Sequence, residues 1–325
     1  MRYTNFTALA AAAVMSVSMA TAQDRTGWPS DLTVGTASQG GVYFVYGNGL
    51  AGFLGEELGL NASGEVTGGP VQNVTLTQMG DHDIGLVTMG PAFEAWNGES
   101  ELAPGLPHTD IRALFPMYET PFQGVALRGS GITSVSDFDG KRVGVGPAGG
   151  TPGTYWPRFL ETLGVNATIS NAGAADTAGQ LKDGLVDAFV FAAGLPIGAF
   201  SQLAAEADVV MFGFTEEELA TILEAHPEVS QFNIPAGTYT TQDEDQLSVA
   251  MWNYAIAHAD MPESLAYEIT KLVMENNDRM MQIHAAAAAT LPENAVPNNG
   301  FLPFHPGAVR YFEEIGIEIP DELRG

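Results

Sequence analysis

The stretch from Thr33 to Val87 constrains the fold more than any other part of the chain. It reads strand, glycine loop, helix, second glycine turn, helix and strand. Leu32 and Val34 lead into Ser38-Gln39-Gly40-Gly41, and behind them Val42, Val45, Tyr46, Gly49, Phe53 and Leu54 recur at helical spacing. Thr67-Gly68-Gly69-Pro70-Val71-Gln72-Asn73 is a second turn entering a helix. Strands alternating with helices imply parallel sheet, with ligands beyond the carboxyl ends of the strands. Glycines there let a ligand approach bare N–H groups at helix starts, where the dipole favours anions. Neither loop is G-x-G-x-x-G and no G-x-x-x-x-G-K-[ST] occurs, which disfavours phosphate cradles of those kinds. Tight packing alone is the other reading of such a glycine pair.

An internal echo points to two lobes. Gly80-Asp81-His82-Asp83-Ile84-Gly85-Leu86-Val87 runs into a strand ending at Gly90-Pro91, and Gly184-Leu185-Val186-Asp187-Ala188-Phe189-Val190 into one ending at Gly194-Leu195-Pro196. A strand–glycine loop–helix unit precedes each, Leu32 to Leu58 and then Arg142 to Leu163 through Gly146-Pro147-Ala148-Gly149-Gly150. The expected architecture is α/β, with lobe one over 27–121 plus 236–325 and lobe two over 122–235. The crossovers fall at Phe122 to Arg128 and at Phe232 to Tyr239. Gln246 to Ala259 and Pro262 to Thr290 read as helical, and Asp243-Glu244-Asp245 as dipole-matched capping ahead of the first.

The first 22 residues read as a leader: Arg2, an apolar run from Ala8 to Met19, and Ala20-Thr21-Ala22 as the cleavage pattern. No other stretch approaches 18 uninterrupted apolar residues, so an exported, periplasmic protein is expected. The 12 Lys and Arg against 39 Asp and Glu give a net charge of −27, or −28 once Arg2 is lost with the leader. Such acidity repels nucleic acid and anionic lipid. An anionic ligand must then be held locally, and the two principal glycine loops sit in stretches free of Asp and Glu, Thr33 to Gly55 and Arg142 to Leu160. There is no cysteine, G-x-S-x-G or H-E-x-x-H, so no ready-made catalytic pattern is present, although triads assemble in space.

In this order the motifs resemble those of the TAXI-type solute-binding proteins of TRAP transporters. The similar segments are Gly35-Thr36-Ala37-Ser38-Gln39-Gly40-Gly41-Val42-Tyr43, Thr67 to Asn73, Arg128-Gly129-Ser130-Gly131-Ile132 and Asp137-Phe138-Asp139-Gly140-Lys141-Arg142-Val143. Leu181 to Ala188, Ala193-Gly194-Leu195-Pro196 and His305-Pro306-Gly307-Ala308 continue the match along nearly the whole mature chain. The resemblance implies a two-lobe, type II periplasmic-binding fold with two crossover segments. It also implies a small carboxylate ligand, such as glutamate, glutamine or 2-oxoglutarate. The partner it implies is an integral membrane TRAP permease with large and small subunits, separate or fused. A monomer without cofactor or metal is expected. An enzyme or a sensor component on the same fold is the alternative.

By position in that family, Ser38, Gln39, Gly40, Gly41, Val42 and Tyr43, then Gly68, Gly69 and Asn73, and Thr88 should line the cleft from lobe one. Tyr118 and Gln123 fall near the first crossover, and Gly149, Gly150, Thr151, Thr154, Ala193 and Gly194 belong to lobe two. The chain departs from the family's pattern where Pro152 removes a backbone donor and where Thr88 replaces a frequent glutamine, which argues against carrying glutamate over unchanged. Arg158, one turn into the lobe-two helix, is a bidentate carboxylate binder by type, although a structural role is preferred for it and for Arg128. Tyr43, Tyr118 and Tyr155 are candidate ligand walls, whereas core packing is preferred for Tyr46 and Trp156. His82 lacks a partner at ligand spacing, His258 and His284 are isolated on expected helices, and His305 reads as a turn residue before the last helix. Ala285 to Ala289 is helix-favouring.

Overall fold

A computed structural model describes residues 24–325, so the leader expected over 1–22 lies outside the described residues. Strand β1 (Asp31–Gly35) buries Leu32 and Val34 and feeds α1 (Val42–Leu58), which stops where Gly59 turns left-handed at φ 63°. Val45 departs from the expected buried face of α1 and is exposed. β2 (Asn61–Glu65), α2 (Pro70–Gln78), β3 (Ile84–Thr88) and α3 (Met89–Trp96) repeat the unit, β2 and β3 both running parallel to β1. The chain then leaves along β4 (Ile111–Leu127), seventeen residues long.

The second run of units follows: β5 (Arg142–Gly144), α4 (Thr151–Thr162), β6 (Thr168–Ser170), α5 (Ala174–Lys182) and β7 (Ala188–Ala192), with β5 parallel to both β6 and β7. Next come α6 (Gly198–Glu206), β8 (Val209–Phe212), α7 (Glu216–Ala225) and β9 (Ser230–Ile234). The chain returns on β10 (Gln246–His258) and closes with α8 (Glu263–Glu275), α9 (Asn277–Ile283) and α10 (Pro306–Glu314).

Four expectations are corrected here. Gln246 to Ala259 is strand rather than helix, because β10 is buried on both faces and so shows no alternation. Asp245 caps no helix; it accepts from the Ala236 N–H at 2.7 Å and from Asn233 at 2.9 Å in the turn between β9 and β10. The return crossing is made by β10, not by Phe232 to Tyr239. Ala285–Ala289 is a 3-10 turn rather than α-helix.

Strand pairing runs β2-β1-β3-β10-β4-β7-β5-β6, with β8 also on β4 and β9 on β10. The path is unbroken because β4 and β10 belong to both halves. Residues Ile111 to Pro121 of β4 pair with β10, and Phe122 to Leu127 pair with β7 and β8. Likewise Gln246 to Ala250 pair with β9, and Asn253 to Ala257 with β3. Two lobes joined by two crossovers were expected; the crossings are β4 and β10, strands shared by both halves.

Candidate functional site

Where β1, β3, β5 and β7 end, the loops behind them close around one cavity. Ser38, Gly41, Val42, Tyr43, Gly68, Gly69 and Thr88 line it from one side. Gly150, Thr151, Pro152, Phe191 and Ala193 line it from the other, with Thr120 of β4 between them. None of the lining residues is charged. The space is narrow, with about 30 Å³ open to the centre of a water-sized sphere.

The helix starts around it differ in what they still offer. α2 offers nothing. Val71 and Gln72 donate their N–H groups across the cavity to the Gly149 carbonyl at 3.1 and 3.4 Å. The Gly68 N–H goes to Gln72 Oε1 at 2.7 Å, the Gly69 N–H to Thr67 Oγ1 at 3.0 Å, and the Asn73 N–H to the Gly69 carbonyl. Gly69 sits at φ +118°, and a Cβ there would meet Gly150 Cα at 3.0 Å, so only glycine lets the two loops touch. Asn73, expected in the lining, lies outside it: its buried amide ties the Gly35, Thr36 and Leu86 carbonyls and takes the Thr67 hydroxyl.

The first loop spends its carbonyls, not its amides, on the opposite half. Gln39 and Gly40 carbonyls accept from Ala175 and Ala199 at 3.1 and 3.0 Å, and Ser38 Oγ accepts from Ala174 at 3.2 Å, so the loop caps α5 and α6. Among the described residues, the first-turn amides of Val42 and Tyr43 in α1 and of Thr151 in α4 have no acceptor. Those amides and the Ser38 hydroxyl are the cavity's remaining donors.

Beneath the lining lies Asn253, fully buried on β10, which reasoning from sequence missed because its segment read as helix. Opposite it β4 carries an extra residue, the register jumping between Trp252 and Tyr254, and such bulges re-aim side chains. Asn253 Oδ1 accepts from Tyr43, Thr88 and Thr120, and Thr151 reaches across to Thr88 at 2.8 Å. Burial pushes the Tyr43 phenol well above its ordinary range, so it stays neutral.

A sequence profile of the NMT1-like family matches residues 34–316. The chain belongs to the NMT1-like family. MatC (Rpa3494) from Rhodopseudomonas palustris, solved with bound malate, shares 16% identity and a TM-score of 0.56, covering 89% of this chain and 97% of its own. Periplasmic binding protein BugD shares 14% identity and a TM-score of 0.57, covering 88% and 94%. At those identities the likeness is one of fold, and that fold is the two-lobe, type II periplasmic-binding fold.

Several expected contacts of this NMT1-like chain fall outside the cavity. Arg158 is given wholly to structure: it pairs with Glu94 at 2.5 and 3.2 Å and with Glu101 at 3.3 Å, bridging α4 to α3. Burial opposes its charge, but hydrogen bonds and charge from Glu94 outweigh that and raise its pKa. Tyr155 donates to Glu94 at 2.8 Å and walls a separate groove with Phe93 and Phe301. Tyr118, Gln123 and Thr154 are buried behind the lining, and the Tyr118 hydroxyl, the Thr154 hydroxyl and both Gln123 amide atoms have no partner among the described residues. Gly194 packs on the Tyr118 ring, where a Cβ would come within 2.7 Å. Tyr46 and Trp156 are core, and Arg128 is held by Asp208. His82 is fixed by Glu65 at 3.1 Å, and His305 caps α10 by accepting the Gly307 N–H.

Proposed function

We propose that this chain is an extracytoplasmic receptor that captures one small carboxylate and delivers it to a TRAP-type membrane permease. The observation that carries the reading is a cavity without charged side chains, into which two helix starts from opposite halves bring unpaired amides. Amides in a desolvated site hold an anion by charge-assisted hydrogen bonds, each worth about 1.5–3 kcal/mol. The anion sits on the α1 and α4 starts rather than on α2, whose donors are already used. The malate carried by MatC is in keeping with such a ligand. The lobes divide at the pairing change in each shared strand. Lobe two then runs from 122 to about 249, because the start of β10 pairs with β9.

The test is a thermal-shift screen of organic acids, amino acids and sugars on protein unfolded and refolded to strip carried ligand. A carboxylate at a hundred times its dissociation constant adds about 2.7 kcal/mol of stability. Stabilisation by neutral sugars alone would defeat the carboxylate reading.

A further inference from the structure

The hydroxyls around the cavity are not free to turn. Asn253 Nδ2 donates to the Tyr118 backbone carbonyl at 2.5 Å, and that oxygen can only accept. This contact decides which end of the amide is nitrogen, so the end facing the hydroxyls is Oδ1, which also can only accept. Tyr43 donates to it at 2.6 Å, and Thr88 and Thr120 each at 3.0 Å. Thr151 in turn donates to Thr88 Oγ1 at 2.8 Å. Thr120 also accepts from Nδ2 at 2.7 Å. Four lining hydroxyls therefore have their protons committed away from the ligand, and Tyr43 and Thr151 meet it with lone pairs.

The cavity is thus divided in polarity. One edge donates, through the Val42, Tyr43 and Thr151 amides and the Ser38 hydroxyl; the other accepts, through Tyr43 Oη and Thr151 Oγ1. We infer that the ligand is a 2-hydroxy acid, its carboxylate on the donor edge and its hydroxyl donating to Tyr43 and Thr151, with Asn253 the positioning residue that sets this preference. The inference rests on the receptor reading above. A 2-oxo acid would turn an acceptor toward two acceptors, leaving all of them desolvated and unpaired. A 2-amino acid would bury an ammonium against neutral oxygens in a cavity without a carboxylate side chain.

Calorimetric titration of stripped protein with two matched series decides it. These are lactate, pyruvate, propionate and alanine, and malate, oxaloacetate, succinate and aspartate. In at least one series the hydroxy acid should bind at least about tenfold more tightly than its oxo, unsubstituted and amino counterparts. Tyr43→Phe should bring the hydroxy acid to within about threefold of the unsubstituted acid while the latter still binds, because only the acceptor is lost. Asn253→Leu, if it folds, should narrow the hydroxy-to-oxo ratio in the same way by freeing the Tyr43 and Thr88 protons. An oxo or amino acid binding as tightly as the hydroxy acid overturns the inference and leaves the carboxylate receptor standing. Binding of no acid in either series also overturns the inference, and the wider screen above then decides the receptor reading on its own.

Discussion

Gly41 and Asn253 show how single residues act on this site in different ways. Gly41 caps α1 at φ −89°, and a Cβ there would meet nothing closer than 3.4 Å, so the backbone does not demand glycine; the cavity does. Gly41→Asp should place a carboxylate against the anion and cost at least a hundredfold in affinity, about 2.8 kcal/mol, with a nearly unchanged melting temperature. Titration calorimetry and a thermal scan of the same sample check both halves. His305 shows a buried titratable group acting on stability instead. Its pKa is lowered by burial, so the unfolded chain takes up a proton before the folded one does. The stability it contributes is complete above the unfolded value near 6.5 and is lost as pH falls toward the folded value. The melting temperature should drop between about pH 7.5 and 5.5. His305→Asn should shrink that drop, since asparagine still caps the helix but does not titrate.

At the scale of elements, α3 and α4 are tied to each other outside the cavity. Arg158 on α4 and Glu94 on α3 form a partly buried ion pair, with Tyr155 on the same carboxylate. Arg158→Met keeps the stem's packing and removes the bridge. Ligand affinity should then fall several-fold, about 1 kcal/mol, through faster release, which stopped-flow displacement would resolve. An arginine that held the ligand itself would cost far more. The elements also differ in how well the sequence announced them. β1, α1, α2 and β3 follow from apolar spacing and glycine punctuation, and the structure has them there. β10 did not, because Val249 to Trp252 and Tyr254 to Ala257 form apolar runs that a strand buried on both faces and a buried helix share. That one misreading hid Asn253, moved the return crossing and turned Asp245 into a cap.

The whole molecule sets a strong outer field around a neutral site. The chain carries −27, while no charged residue lines the cavity. Surface charges are screened beyond roughly 8 Å at physiological ionic strength, so added salt should leave affinity unchanged or raise it slightly. A steep loss with salt would mean that exposed cations carry the binding. Closure is the second whole-molecule expectation. The Gly149 carbonyl, the Gln39 and Gly40 carbonyls and Thr151 all bond across the cavity, so a ligand that adds contacts there favours the closed form. Small-angle scattering of stripped protein should show a smaller radius of gyration at saturating ligand.

The sequence by itself determined the strand–glycine loop–helix units and the acid-free loops, and of the residues singled out by family resemblance Ser38, Gly41, Val42, Tyr43, Gly68, Gly69, Thr88, Gly150 and Thr151 line one cavity. These are local matters, set by spacing, glycine and charge over a few residues. Only the tertiary structure decided which polar groups remain free. α2 looked as able to hold an anion as α1 until Gly149 occupied its amides from the other half, and what fixes Arg158, for which a structural role was preferred, is Glu94 on a distant helix. Whether a donor is available depends on what lies opposite it across more than sixty residues of chain, and no local pattern encodes that.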